Sequence, residues 1–115
     1  AFSPFNSESG LILNNLGRVL HDQKKFEEAE ALYRRSHAVL RQTLGAEHPK
    51  LASPLMNIAT LYWEQGRREE AERLFSRSIA ILQLALGMGN PKVIKAINKI
   101  ESIKQRTGDL ASVPA

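Results

Sequence analysis

The strongest constraint on this chain is that residues 13–51 are written again, without a gap, as residues 55–93. Leu13-Asn14-Asn15-Leu16-Gly17 returns as Leu55-Met56-Asn57-Ile58-Ala59, and Glu27-Glu28-Ala29-Glu30 as Glu69-Glu70-Ala71-Glu72. Leu44-Gly45 with Pro49-Lys50 returns as Leu86-Gly87 with Pro91-Lys92. Each pair lies 42 positions apart (55 − 13), and 16 of the 39 aligned positions are identical. A fixed period of roughly 20–50 residues is the signature of stacked helical units, each burying its apolar face only against a neighbour. Such a chain is a scaffold with a surface; the repeat alone does not say what the surface holds.

Within each copy the apolar spacing predicts two helices. Leu13, Leu16, Gly17 and Leu20 follow the i, i+3, i+4, i+7 rule over residues 11–22. Gln23-Lys24-Lys25 interrupts them, and a second stripe of Phe26, Ala29, Leu32, Tyr33, Ser36, Leu40 and Leu44 runs over residues 26–44. Glu27, Glu28 and Glu30 early in that helix and Arg41 late in it suit the helix dipole. Ser7 or Ser9 offers a cap to the first helix, and Gly45 suits a left-handed residue past the second. Pro49, behind His48 as cap, predicts the start of a third helix. Pro54 inside it predicts a kinked first turn or a start deferred to Ser53-Pro54. In the second copy Gly66 takes the turn position of Lys24, and Arg68 replaces Phe26, which predicts a looser contact with the core.

A last helix is predicted over residues 91–106, with Val93, Ile97, Ile100 and Ile103 inward. Glu101 and Lys104 stand where the earlier helices have Gly17/Ala59 and Leu20/Tyr62, positions that would face a following helix. This reads as a cap with a wetted outer face. The chain thus divides into an N-terminal segment 1–9, repeat one 10–47, repeat two 48–89, a capping helix 90–107 and a polar tail 108–115. Phe2 and Phe5 in the first segment read as the remnant of an earlier repeat or as a lid.

Composition removes several function classes. There is no cysteine, hence no disulfide or thiolate chemistry, and the redox compartment stays open, with a cytoplasmic location as the expectation. No apolar run approaches the ~20 residues of a membrane span, and the start lacks the form of a signal peptide. His21, His37 and His48 have no metal-ligand spacing, Ser36 and Ser78 fall where helices pack, and no glycine loop for phosphate is present. No catalytic residue, metal or cofactor is expected. The net charge of +4 is concentrated in residues 91–106, where Lys92, Lys95, Lys99, Lys104 and Arg106 face Glu101 alone.

Leu13-Asn14-Asn15-Leu16-Gly17, Glu27-Glu28-Ala29-Glu30-x-Leu32-Tyr33-x-Arg35 and Leu44-Gly45-x-x-His48-Pro49 resemble the tetratricopeptide repeat. The likeness is to its long variety, as in kinesin light chains and many bacterial proteins. The resemblance implies an all-α, right-handed α-solenoid of antiparallel helix pairs, about two repeats plus a capping helix. It also implies a concave groove lined by the first helix of each pair, in which an extended peptide lies. The residues agree in pattern. Opposite the apolar stripe, Asn14, Asn15, Arg18, His21 and Asp22 share one side of the first helix. One period on stand Met56, Asn57, Thr60, Trp63 and Glu64, and two periods on Asn98, Lys99, Ser102, Gln105 and Arg106, with Lys95 just before.

The groove residues expected from this are Asn14, Asn15, Arg18, Asp22, Met56, Asn57, Thr60, Trp63, Lys95, Asn98, Lys99 and Arg106. Asn15 and Asn57 can each donate to and accept from a peptide backbone, or else tie adjacent helices together. Lys95, Lys99 and Arg106 would attract an acidic segment, or simply keep the last helix solvated. Met56 and Trp63 offer an apolar pocket or, alternatively, core. The leading expectation is a non-enzymatic module that binds an extended acidic peptide. Self-association through the ends of the stack, motivated by Leu11-Ile12-Leu13, is the alternative. RNA binding through the basic end ranks below both, because no aromatics interleave the cations.

Overall fold

The computed structural model describes residues 6–112; the N-terminal phenylalanines and the end of the tail, residues 113–115, lie outside them. Five α-helices follow in order: α1 (Ser7–Asp22), α2 (Phe26–Leu44), α3 (Ala52–Glu64), α4 (Arg68–Leu86) and α5 (Pro91–Ser112). No strand is present among the described residues. α1 packs on α2 and α3 on α4 as antiparallel pairs, and α5 closes the stack against α4 and α3. The result is a slab of 56 × 35 × 19 Å, the shape of a short helical solenoid.

The pairs close tightly because one side of each leading helix is smooth. A Cβ on Gly17 would sit 2.7 Å from the Tyr33 ring, and one on Gly10 2.7 Å from Leu40. Ser36 donates to the carbonyl of Gly10 at 2.6 Å. In the second pair Ala59 takes the place of Gly17 and Phe75 that of Tyr33, all fully buried or nearly so. Ser78 there bonds the Phe75 carbonyl of its own helix instead (2.8 Å). The core proper runs through Tyr33, Ile58, Ala59, Leu61, Tyr62, Phe75, Ile100 and Ile103.

Several expected details change. α1 starts earlier than residue 11, and its cap is Asn6, which accepts from the Ser9 amide at 2.7 Å, rather than Ser7 or Ser9. Pro49 opens not an α-helix but one 3₁₀ turn, Pro49–Leu51, in which His48 Nδ1 accepts from the Lys50 amide (3.1 Å). α3 then begins at Ala52, so Pro54 falls in a first turn, where its missing N–H has no intrahelical partner to lose. α5 runs on through Gly108 to Ser112, where a tail was expected. Gly45 does hold a positive φ (+95°), but with an extended ψ of 160°.

Arg68 does not loosen the second turn. Its guanidinium lies 4.5 Å from the centre of the Trp63 ring, where the first copy sets Phe26 edge-on to His21 at 5.8 Å. Cation–π contact replaces aromatic contact at the same step of the period. Lys104 does not face a following helix either. It turns back to pair with Glu72 (2.6 Å), one period after Tyr62 donates to Glu30 (2.7 Å). Glu101 is exposed as expected, but Ile97 is 38% exposed rather than buried. Its counterpart Leu55 is 4% exposed, and among the described residues no helix follows α5.

The turn between the helices of each pair is built twice with different residues. Lys24 (φ +66°) and Gly66 (φ +84°) both occupy the left-handed region, which costs an L side chain about 1–2 kcal/mol. A Cβ on Gly66 would touch nothing within 4 Å, so backbone strain alone separates the two turns. Gly66→Ala should therefore lower unfolding stability by about 1 kcal/mol, and Lys24→Gly should raise it by about 0.5 kcal/mol. Urea denaturation of the two variants beside the parent chain checks both signs.

Candidate peptide-binding groove

Because α1, α3 and α5 stand side by side, residues 42 positions apart meet on one wall. A cleft of about 480 Å³ crosses the three helices. α1 contributes Arg18, His21 and Asp22, α3 contributes Asn57, Thr60 and Glu64, and α5 contributes Lys99, Ser102 and Arg106. Arg18, Thr60 and Ser102 are one position repeated, as are Asp22, Glu64 and Arg106. The floor is Tyr33 and Ile103, and Lys24 stands at the rim of the α1 end. Four cations, Arg18, Lys24, Lys99 and Arg106, face two carboxylates, Asp22 and Glu64.

The α1–α3 wall is tied by polar side chains. Asn14 donates to Ser53 Oγ (3.0 Å) and accepts from the Asn57 amide (2.9 Å). His21 bridges two repeats, with Nδ1 3.0 Å from the Tyr33 hydroxyl and Nε2 2.8 Å from Glu64 Oε2. Burial pushes the Tyr33 hydroxyl up to about 12, so it stays protonated. The His21 ring stands between the Tyr33 hydroxyl of one repeat and the Glu64 carboxylate of the next. One carboxylate of the cleft is thus already hydrogen-bonded within the protein.

Of the residues expected in the groove, Arg18, Asp22, Asn57, Thr60, Lys99 and Arg106 line the cleft. Asn15, Lys95 and Asn98 are exposed but do not line it. Asn14 is a correction, 5% exposed at a helix seam; Met56 and Trp63, at 7% and 8%, leave the groove and take the core alternative offered for them. The reason is angular. Adjacent residues on a helix diverge by ~100°, so Asn14 and Asn15 cannot share a face. Position 14 points toward the next leading helix, which is why Met56 is buried there and Asn98, with no described helix beyond it, is bare. Asn57 ties adjacent helices through Asn14, the alternative offered for it, and also lines the cleft. Tyr33, Ile103 and Lys24 were missed. Tyr33 and Ile103 read as core stripe, and only the stacking of three helices brings them under the cleft.

No group of three or more His, Asp or Glu residues is placed to hold a metal among the described residues. No helix described is long and apolar enough to cross a membrane.

Replacing Asn14 with alanine leaves the Ser53 hydroxyl and the Asn57 amide without their partner at the α1–α3 seam. A loss of about 2 kcal/mol is expected, whereas Asn15→Ala on the exposed side should stay within about 0.5 kcal/mol of the parent. Chemical denaturation of the pair measures the contrast.

Comparison with curated proteins finds no significant match to this chain. A family model does match: the tetratricopeptide repeat, over residues 8–83. That span takes in α1 to α4 almost entirely, both helix pairs and the turns between them. The chain belongs to the tetratricopeptide repeat family.

Proposed function

We propose that this chain is a non-enzymatic module that holds an extended, acidic peptide in the cleft across α1, α3 and α5. Tetratricopeptide repeats generally mediate protein–protein interactions, which sets the class of ligand. The 42-residue period favours the long variety similar to kinesin light chains. The observation that carries the peptide reading is the convergence of one repeated position from three helices on a single cleft with excess cations. Neighbouring helix axes lie 8–10 Å apart, so crossing three of them takes ~20 Å, about six residues of extended chain. Lys99 and Arg106 at the α5 end engage carboxylates by charge-assisted bonds, and Asn57 and Thr60 in the middle suit main-chain groups.

A short peptide rich in Asp and Glu, followed by fluorescence anisotropy, tests this. The double variant Lys99→Glu/Arg106→Glu should bind it roughly tenfold more weakly, about 1.4 kcal/mol, with a weaker response to added salt. Unchanged affinity would remove the cleft from the reading.

A second reading, self-association, is favoured by α1. Ile12, Leu16 and Val19 form one stripe and are 58%, 47% and 51% exposed. Their counterparts Pro54, Ile58 and Leu61 are buried against α2. Two copies of α1 packed antiparallel, with Leu16 on the axis, would set Glu8 of each copy opposite Lys24 of the other, a self-complementary arrangement. Sedimentation should then show a concentration-dependent dimer that Leu16→Glu abolishes, and a parent chain that stays monomeric at high concentration would dismiss it.

A further inference from the structure

The side of the molecule formed by α2 and α4 carries a second charged hollow that the peptide cleft does not use. Arg34 of α2 and Glu70, Arg73 and Arg77 of α4 line a recess of about 330 Å³ floored by Tyr62. His37 and Arg41, one and two turns beyond Arg34 on α2, line an adjoining hollow of about 430 Å³. The two acids of this region are already engaged. Glu30 accepts from Arg34 Nε (2.9 Å) and from the Tyr62 hydroxyl, and Glu70 is held by Arg67 at 2.7 Å. Burial raises the Glu30 carboxyl, but the hydrogen bonds from Arg34 and Tyr62 outweigh it and hold it below the usual range, fully ionised. No side-chain hydrogen bond or ion pair to Arg41, Arg73 or Arg77 occurs among the described residues. In their midst His37 Nε2 is buried without a hydrogen-bond partner, which is rare for a buried polar atom.

We propose that this α2–α4 groove is a phosphate-binding site that receives a phosphorylated serine or threonine of a protein segment, with Arg73 and Arg77 as its principal ligands and Arg34 at its edge. Arg34 is already bonded to Glu30, and Glu70 to Arg67, so the guanidiniums of Arg73 and Arg77 are the two left to converge on an anion in this recess. A phosphomonoester has three acceptor oxygens and close to two charges, and it matches converging forks. Nucleic acid fits less well, because single strands need open aromatic faces to stack on. Tyr62 is 3% exposed, and the Arg67 guanidinium already covers its ring at 3.8 Å. His37 reports on the same field. Burial, then the charges of Arg77, Arg41 and Arg34, push its imidazole below the ordinary range, and a bound dianion would offset those charges.

The probes are a short Gly/Ser-rich peptide with one phosphoserine, its unphosphorylated twin, and oligouridylate, each titrated by fluorescence anisotropy. Arg73 and Arg77 are exposed, so Arg73→Ala/Arg77→Ala leaves the fold intact. The phosphopeptide should bind roughly tenfold more tightly than either other probe, and the double variant should lose that margin. Lys99→Glu, in the other cleft, should keep it. In a proton NMR titration, saturating phosphopeptide should move the His37 ring midpoint upward. Equal binding of the twin, tighter binding of oligouridylate, an unaffected double variant or an unmoved His37 midpoint would each overturn the assignment.

Discussion

Everything in this molecule follows from how closely the two helices of a pair approach. Gly17 against Tyr33, and Ala59 against Phe75, bring the backbones together at a point where one more methyl group in the first pair would strike a ring. That contact fixes which side of each leading helix is spent on its own partner. It leaves a second side for the preceding pair, a third for the next leading helix, and a fourth for solvent. Since the sequence repeats every 42 residues, the same four assignments recur, and a single surface position becomes a row. The cleft is such a row.

What a linear reading recovers depends on whether the information is periodic. The second helix was legible from its first residue to its last, because Phe26 follows a clear break and Leu44 precedes a glycine. The cleft positions 18, 22, 57, 60, 99 and 106 were legible because they repeat. Asn14, Met56 and Trp63 were not, since telling the solvent side from the seam requires knowing where the neighbouring helix sits. Arg68 and Lys104 misled for a related reason. Charged residues at apolar positions suggest exposure, yet a guanidinium over an indole or an ammonium on Glu72 satisfies a half-buried site equally well. The start of α1 went unseen because Asn6 caps it through one side-chain oxygen, a contact without period.

The two faces of the slab treat charge differently. On the α1–α3–α5 side, two carboxylates and four cations share one cleft and His21 is bonded to Glu64. On the α2–α4 side, the acids are locked into bonds with Arg34, Tyr62 and Arg67, and the remaining arginines stand in excess. Net charge alone, +4 for the whole chain, conceals both arrangements.

The two seams between leading helices are chemically unlike. Between α1 and α3 lie Asn14, Ser53, Asn57, His21 and Glu64, joined by directional bonds. Between α3 and α5 the corresponding positions are Met56 and Trp63, which meet Ile100 and Ile103 in apolar contact. Hydrogen bonds lapse with an ångström of misalignment, whereas greasy surfaces slide over one another at little cost. The solenoid therefore has a stiff joint and a compliant one. Lys99 and Arg106 sit on the apolar joint, and α5 is pinned from its other side by Lys104 on Glu72.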